Sequence, residues 1–86
     1  MSKFNIIHDK TQQLFYINLG NDHKAWIKYK LAENNEVDFY TTLVPASHRG
    51  QGIAAMLVNQ AFGWADEQGL QIIASCWYAE KKLQQR

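Results

Sequence analysis

The feature that most constrains this chain is a single change of period. Before Pro45 apolar residues recur at every second position, and after Gly52 they recur at helical spacing. Ala25, Ile27, Tyr29 and Leu31 alternate with Lys24, Trp26, Lys28 and Lys30. Val37, Phe39, Thr41 and Leu43 then alternate with Asp38, Tyr40, Thr42 and Val44. A period of two is the geometry of a strand buried on one side, here with a lysine-rich opposite side. Residues 4–8 and 14–19 are two further strand-like segments, set off by Asp9-Lys10-Thr11-Gln12 and Gly20-Asn21-Asp22. Glu33-Asn34-Asn35 separates the last two strands. Four successive strands with short turns predict an antiparallel meander. Beyond Gly52, Ile53, Leu57, Ala61 and Trp64 share one helical face, widened by Ala54, Val58 and Ala65, and Gly69 ends the helix. Residues 70–74 read as a short buried strand and residues 77–85 as a final helix. The order is β-β-β-β-α-β-α, an α+β domain of about five strands and two helices. Asp66 and Glu67, near the end of the first helix, oppose its dipole.

Eighty-six residues make one small domain spanning 1–86, which buries only about 60% of its unfolded surface. Cys76 is the single cysteine, so no internal disulfide forms and a reducing compartment fits. The first ten residues lack the apolar run of a signal peptide, and no stretch approaches the ~20 apolar residues of a membrane span. A net charge of +1 argues against nucleic acid or an anionic membrane as partner. A cytoplasmic domain, monomeric or weakly dimeric, is the expectation.

Between the two periods lies Val44-Pro45-Ala46-Ser47-His48-Arg49-Gly50-Gln51-Gly52-Ile53-Ala54. It leaves a strand, turns through two glycines and opens an amphipathic helix. The first turn of a helix has backbone N–H groups without partners, and glycine lets the backbone approach an anion closely. With the helix dipole this makes a phosphate site, to which Arg49 adds a charge-assisted contact. A glycine turn required only by geometry is the alternative. The segment is neither a dinucleotide fingerprint nor a Walker loop.

Arg-Gly-Gln-Gly-Ile-Ala (49–54) resembles the Arg/Gln-x-x-Gly-x-Gly/Ala motif of the GNAT superfamily of acyl-CoA N-acetyltransferases, with Arg49, Gly52 and Ala54 at the matching positions. The resemblance extends over most of the chain to the very small, single-domain (YjdJ-type) branch. There a strand like 37–45 runs into the loop, and a later strand ends in a Ser-Cys-x-Tyr element, here Ser75-Cys76-Trp77-Tyr78. The resemblance implies that the backbone of Arg49, Gly50, Gln51, Gly52, Ile53 and Ala54, with Val44 beside it, holds the pyrophosphate of acetyl-CoA, the co-substrate. It implies that residues 37–44 and 70–75 are parallel neighbours, with the pantetheine arm where they splay. It implies transfer of the acetyl group to a primary amine, such as a protein lysine or a small polyamine. A non-catalytic acyl-CoA-binding or protein-interaction domain of the same fold is the rival.

Cys76 stands where a buried strand ends and a helix begins, a position that lowers a thiol pKa. It is equally a residue type that often only packs. By the resemblance it lies near the thioester, as a nucleophile that carries the acetyl group or, the preferred reading, as a proton donor to the departing CoA thiolate. Tyr78 is the alternative donor. Thr41 occupies the position where related small members carry a histidine, and its hydroxyl is too weak a base to replace one. His48 lies seven residues on, in the loop, and reads as a solvent-facing side chain. His8, His23 and His48 have no ligand spacing, so no metal site is expected. Trp26, between Lys24 and Lys28, marks either a partner surface or a solvated face with one packed indole. Lys81 and Lys82 read as a solvated helix end, with contact to the 3′-phosphate of CoA as the lesser alternative.

Overall fold

The computed structural model describes residues 4–20 and 22–86, so the turn position Asn21 and the first three residues lie outside the description. Strands β1 (Ile6–Asp9), β2 (Leu14–Gly20), β3 (His23–Ala32) and β4 (Glu36–Leu43) form the antiparallel meander, and β5 (Gln71–Ala74) joins β4 in parallel. Helix α1 (Ile53–Glu67) connects β4 to β5, and α2 (Trp77–Gln84) follows β5. This is the expected order and class, with short local adjustments at the ends. The turns have local causes. Asp9 Oδ1 accepts the Gln12 N–H at 3.0 Å, an Asx turn. Asn34 and Asn35 both take positive φ, the conformation of a tight hairpin turn that asparagine tolerates.

One side of the sheet is the core. Phe15, Ile17, Ala25, Ile27, Tyr29, Val37 and Phe39 meet Ile53, Leu57, Val58, Ala61, Phe62 and Ala65 of α1, and Ala79 of α2 joins them. Both helices therefore lie on the same side. Burying each large apolar side chain contributes about 1.5–3 kcal/mol, and this single layer supplies the main stabilisation of the fold. Gly69 (φ +70) ends α1, and the Leu70 N–H donates back to Ala65 O at 2.9 Å, as helix-closing glycines do. Asp66, unfavourable for the dipole, pairs with Arg86, whose guanidinium also lies over the Phe62 ring. Trp64 packs against the core cluster as expected, whereas Leu31, expected on the buried face, is 53% exposed. It lies at the end of β3, where Lys30 and Ala32 are exposed as well.

The alternation predicted along β4 breaks at one residue. Tyr29 pairs with Phe39 but Lys28 pairs with Thr41, so Tyr40 is an extra residue in β4. A β-bulge of this kind exchanges the faces of everything after it. Thr42 now stands opposite the fully buried Ile27, on the helix side, and Thr41 opposite Lys28 on the open side. The reading of Thr41 and Leu43 as core-facing is corrected accordingly.

A half-buried histidine links β1 to the core. His8 stacks on Phe15 at 4.0 Å and its Nε2 is 2.6 Å from Tyr29 Oη. Burial, then Lys10, lowers its pKa despite the opposing effect of Asp9. A folded-state pKa below the unfolded value of about 6.5 gives stability that is present above that pH and lost as pH falls through it. Thermal melting is therefore expected to hold steady above neutral pH and to decline from roughly pH 6.5 downward. His8→Phe, which keeps the stack, is expected to flatten that decline; an unchanged slope in the variant would assign it to other groups.

Candidate active site

The site begins where β4 ends. Pro45 leads into a single 3-10 turn, Ala46–His48, and Arg49 returns to extended backbone. Gly50 (φ +84) and Gly52 (φ +76) then take left-handed conformations that side chains rarely adopt. These two residues bring the backbone round so that α1 starts at Ile53. Met56 is the first residue of the helix whose N–H finds a backbone acceptor, Gly52 O at 3.1 Å. Among the described residues the N–H groups of 50–55 have no such partner. They form a row of open donors at the positive end of a fifteen-residue helix. Arg49 adds a fixed cation, because its Nε donates to Val44 O at 3.3 Å.

These groups line a hollow of about 230 Å³, bounded by Val44, His48, Arg49, Gly50, Gly52, Ile53, Ala54 and Tyr78, among others. Six of the seven positions expected to hold the pyrophosphate are on its wall. The seventh, Gln51, is exposed and not part of it. His48, read as a solvent-facing loop residue, is half-buried on this wall, its Nδ1 2.9 Å from Ser47 Oγ. The 3-10 turn folds it inward, and nothing in the sequence around it announces that turn.

A second hollow, of about 470 Å³, continues from the first. Val44, Arg49, Ala54 and Tyr78 belong to both, and Thr42, Leu43, Cys76 and Trp77 complete the second. It exists because β4 and β5 part. Their ladder ends at Phe39 and Ala74, and Phe39 O accepts both the Ser75 and Cys76 N–H groups, at 3.1 and 3.2 Å. Asp38 fixes the departing end of β5 through the Ser75 N–H and hydroxyl. Among the described residues the remaining length of β4, from Tyr40 to Leu43, has no strand neighbour on that side.

Cys76 sits at the far end of this groove, as the residue preceding α2. Its thiol donates to Thr42 Oγ1 at 3.6 Å. Burial alone would push its pKa up. The N–H of Ala79, the Thr42 hydroxyl, and the N–H groups of Tyr78 and Thr42 outweigh burial and hold the thiol below its ordinary value. Neither helix amide makes a full capping hydrogen bond, but both face the sulfur from the first turn. The structure thus brings together Cys76, Tyr78 and the glycine loop on one groove. It places Thr41 on the opposite side of the sheet, across from Lys28. Thr42, which sequence reasoning did not single out, is the β4 residue in contact with the sulfur. Two adjacent threonines suit either face of the strand, and no stronger signal in the sequence marks Thr42. Among the described residues no three His, Cys, Asp or Glu side chains gather as metal ligands.

The sequence profile of the GCN5-related N-acetyl-transferase family matches residues 14–86. Protein NATD1 of Danio rerio is 33% identical over 81 residues, covering 93% of this chain and 74% of that protein. Protein NATD1 of Homo sapiens is 32% identical over 79 residues, covering 91% and 70%. Among solved structures, the solution structure of a GCN5-like protein from Staphylococcus aureus superposes with a TM-score of 0.76 and 34% identity. That match covers 99% of this chain and 82% of the other. Profile, relatives and fold agree with the loop and groove just described: the chain belongs to the GCN5-related N-acetyltransferase family.

Proposed function

We infer that this protein binds acetyl-CoA in the continuous groove and transfers the acetyl group to a primary amine. The observation that carries this reading is the sharing of Val44, Arg49, Ala54 and Tyr78 by the two hollows. It gives one path from a row of open amides to a tuned thiol. The amides of 50–55 and Arg49 suit a pyrophosphate. The unpaired stretch of β4 suits an extended, amide-containing arm, and Cys76 and Thr42 then stand at the thioester.

The chemistry follows from what the residues offer. A neutral amine adds to the thioester carbonyl, the C–S bond breaks, and its electron pair stays on the CoA sulfur, which takes a proton. The acceptor nitrogen loses its own proton to water. Cys76 is placed to supply the proton to sulfur, because the thiolate it leaves behind is met by the Ala79, Tyr78 and Thr42 donors. Holding both reactants in the groove contributes the rest, by proximity rather than by a strong base. With a threonine at 41, deprotonation of the incoming ammonium falls to solvent, so the rate is expected to rise with pH over the neutral range.

The direct test is thermal. Ligand binding stabilises the folded state by about 2.7 kcal/mol at a hundredfold excess over Kd. For a domain of this size that raises the melting temperature by roughly 10 °C or more. Acetyl-CoA and CoA are both expected to produce this shift, whereas adenosine alone, lacking the pyrophosphate, is not. No shift at millimolar acetyl-CoA would contradict the reading.

A further inference from the structure

The groove lies on the helix side of the sheet and at the β4–β5 split. Among the described residues no helix covers the other side, and it has a pattern of its own. Lys24 Nζ stands 4.8 Å from the Tyr16 ring centroid, Lys28 Nζ 4.5 Å from that of Trp26, and Lys30 Nζ 5.9 Å from that of Tyr40. These contacts hold three ammonium groups flat against the sheet. None of the three meets a carboxylate, since the one ion pair among the described residues joins Arg86 to Asp66. Of the acids on this side, Asp38 is occupied by Ser75 and Asp9 by the Gln12 N–H, while Glu36 stands opposite Ala32 at the far end of β3. Between the lysines lie exposed apolar groups, Tyr40 at 42% and Leu43 at 43%.

The spacing of these groups defines what would fit. Lys24, Trp26 and Lys28 project from one face of β3, so the two ammonium-bearing positions are about 13 Å apart along the strand. An extended segment with acidic residues four positions apart would place a carboxylate on each lysine and an apolar side chain beside the Trp26 ring between them. A single nucleic-acid strand fits less well. It needs free ring faces on which bases stack, and here each ring already carries an ammonium group. Its phosphates would also meet Asp9 and Asp38. The face is continuous with the groove, because Leu43 pairs with Trp26 across β3 and β4 and also lines the hollow of Cys76.

We propose that this open face docks an acidic protein segment with apolar residues between its carboxylates, and that this segment carries the amine to be acetylated. The second half rests on the transferase reading above. A free polyamine, being cationic, is repelled by the same three lysines and is a poor acceptor.

The probe is a synthetic peptide of repeating Glu-Ser-Leu-Ser, which puts glutamate and leucine in turn on one face of the extended chain, that ends in one lysine, followed by tryptophan fluorescence. Saturable binding that weakens with added salt is expected. Lys24→Glu combined with Lys28→Glu is expected to weaken it by on the order of tenfold or more, with acetyl-CoA affinity unchanged. The Lys24→Gln, Lys28→Gln pair gives a milder loss and guards against misfolding of the charge-reversed form. With acetyl-CoA present, the peptide lysine is expected to be acetylated faster than spermidine. Equal binding of a lysine-for-glutamate peptide, or preferred binding of oligothymidylate, would overturn the docking proposal. So would failure of the peptide to bind while acetyl-CoA binds normally, and that result leaves the groove reading intact. Faster acetylation of spermidine would overturn the assignment of the acceptor alone.

Discussion

Gly52→Val is expected to weaken acetyl-CoA binding by on the order of a hundredfold, the equivalent of one or two lost charge-assisted hydrogen bonds. Gly52 immediately precedes α1 at φ +76, and a Cβ there meets no atom within 4 Å. The new side chain therefore does not clash with the protein itself. Its effect has two parts: it forces the loop out of a left-handed conformation, at about 1–2 kcal/mol, and it blocks approach to the open amides. Some loss of stability accompanies the loss of affinity, because the strain acts on the folded state alone. Gly69 provides the matching control. It takes φ +70 at the opposite end of the same helix, also with nothing within 4 Å. Gly69→Val should lower the melting temperature to a similar degree and leave acetyl-CoA affinity near that of the parent. Calorimetric titration of the two variants separates the causes. Equal affinities would place the pyrophosphate away from residues 50–55.

Replacing Cys76 is expected to slow transfer by about 10²–10⁴-fold, the range for loss of a positioned proton donor, with acetyl-CoA binding retained. The pH profile identifies which role is lost. As a donor Cys76 must be protonated, so the rate, once divided by the free-amine fraction that makes it climb with pH, is steady below the thiol's pKa and falls as pH rises through it. That pKa lies below the ordinary thiol value, which brings the falling limb toward neutral pH. A nucleophilic Cys76 must be ionised, and activity would instead rise through the same pKa. The account predicts a falling alkaline limb in the parent that is absent from Cys76→Ala. Intact mass after incubation with acetyl-CoA gives the second readout. A stoichiometric acetyl adduct on Cys76, discharged by an added amine, would establish the covalent route in place of direct transfer. Thr42→Val is a useful companion: it removes the hydroxyl but keeps the N–H at the sulfur, and should move the alkaline limb to higher pH.

The fold was readable because its elements declare themselves locally. Alternation along β3 as far as Tyr29, the helical face from Ile53 to Ala65, and the glycine at 69 each have one simple structural reading, and the tertiary structure overrides none of them. The glycine loop was readable for the same reason, since left-handed backbone at 50 and 52 is a requirement glycine meets at least cost. What was not readable is where one residue changes the count. The bulge at Tyr40 leaves no residue type that demands it, yet it moves Thr42 to the sulfur and Thr41 to the lysine side. Likewise Pro45 signals the end of pairing but not the 3-10 turn that brings His48 onto the wall of the hollow. The donors around Cys76 come from three places in the chain, Thr42, Tyr78 and Ala79, and only the parting of β4 from β5 assembles them.

The central claim is that one ligand spans the groove from the glycine loop to Cys76. Amide chemical shifts recorded while acetyl-CoA is titrated into the labelled protein test it most directly, because each part of the groove reports separately. The account predicts that the amides of 50–55, of Thr42 to Val44, and of Cys76 to Ala79 move together along a single binding curve. Those of Lys24, Trp26 and Lys28 on the open face should stay in place. Saturation that leaves the amides of 50–55 unmoved, or that shifts the open face alone, would contradict it.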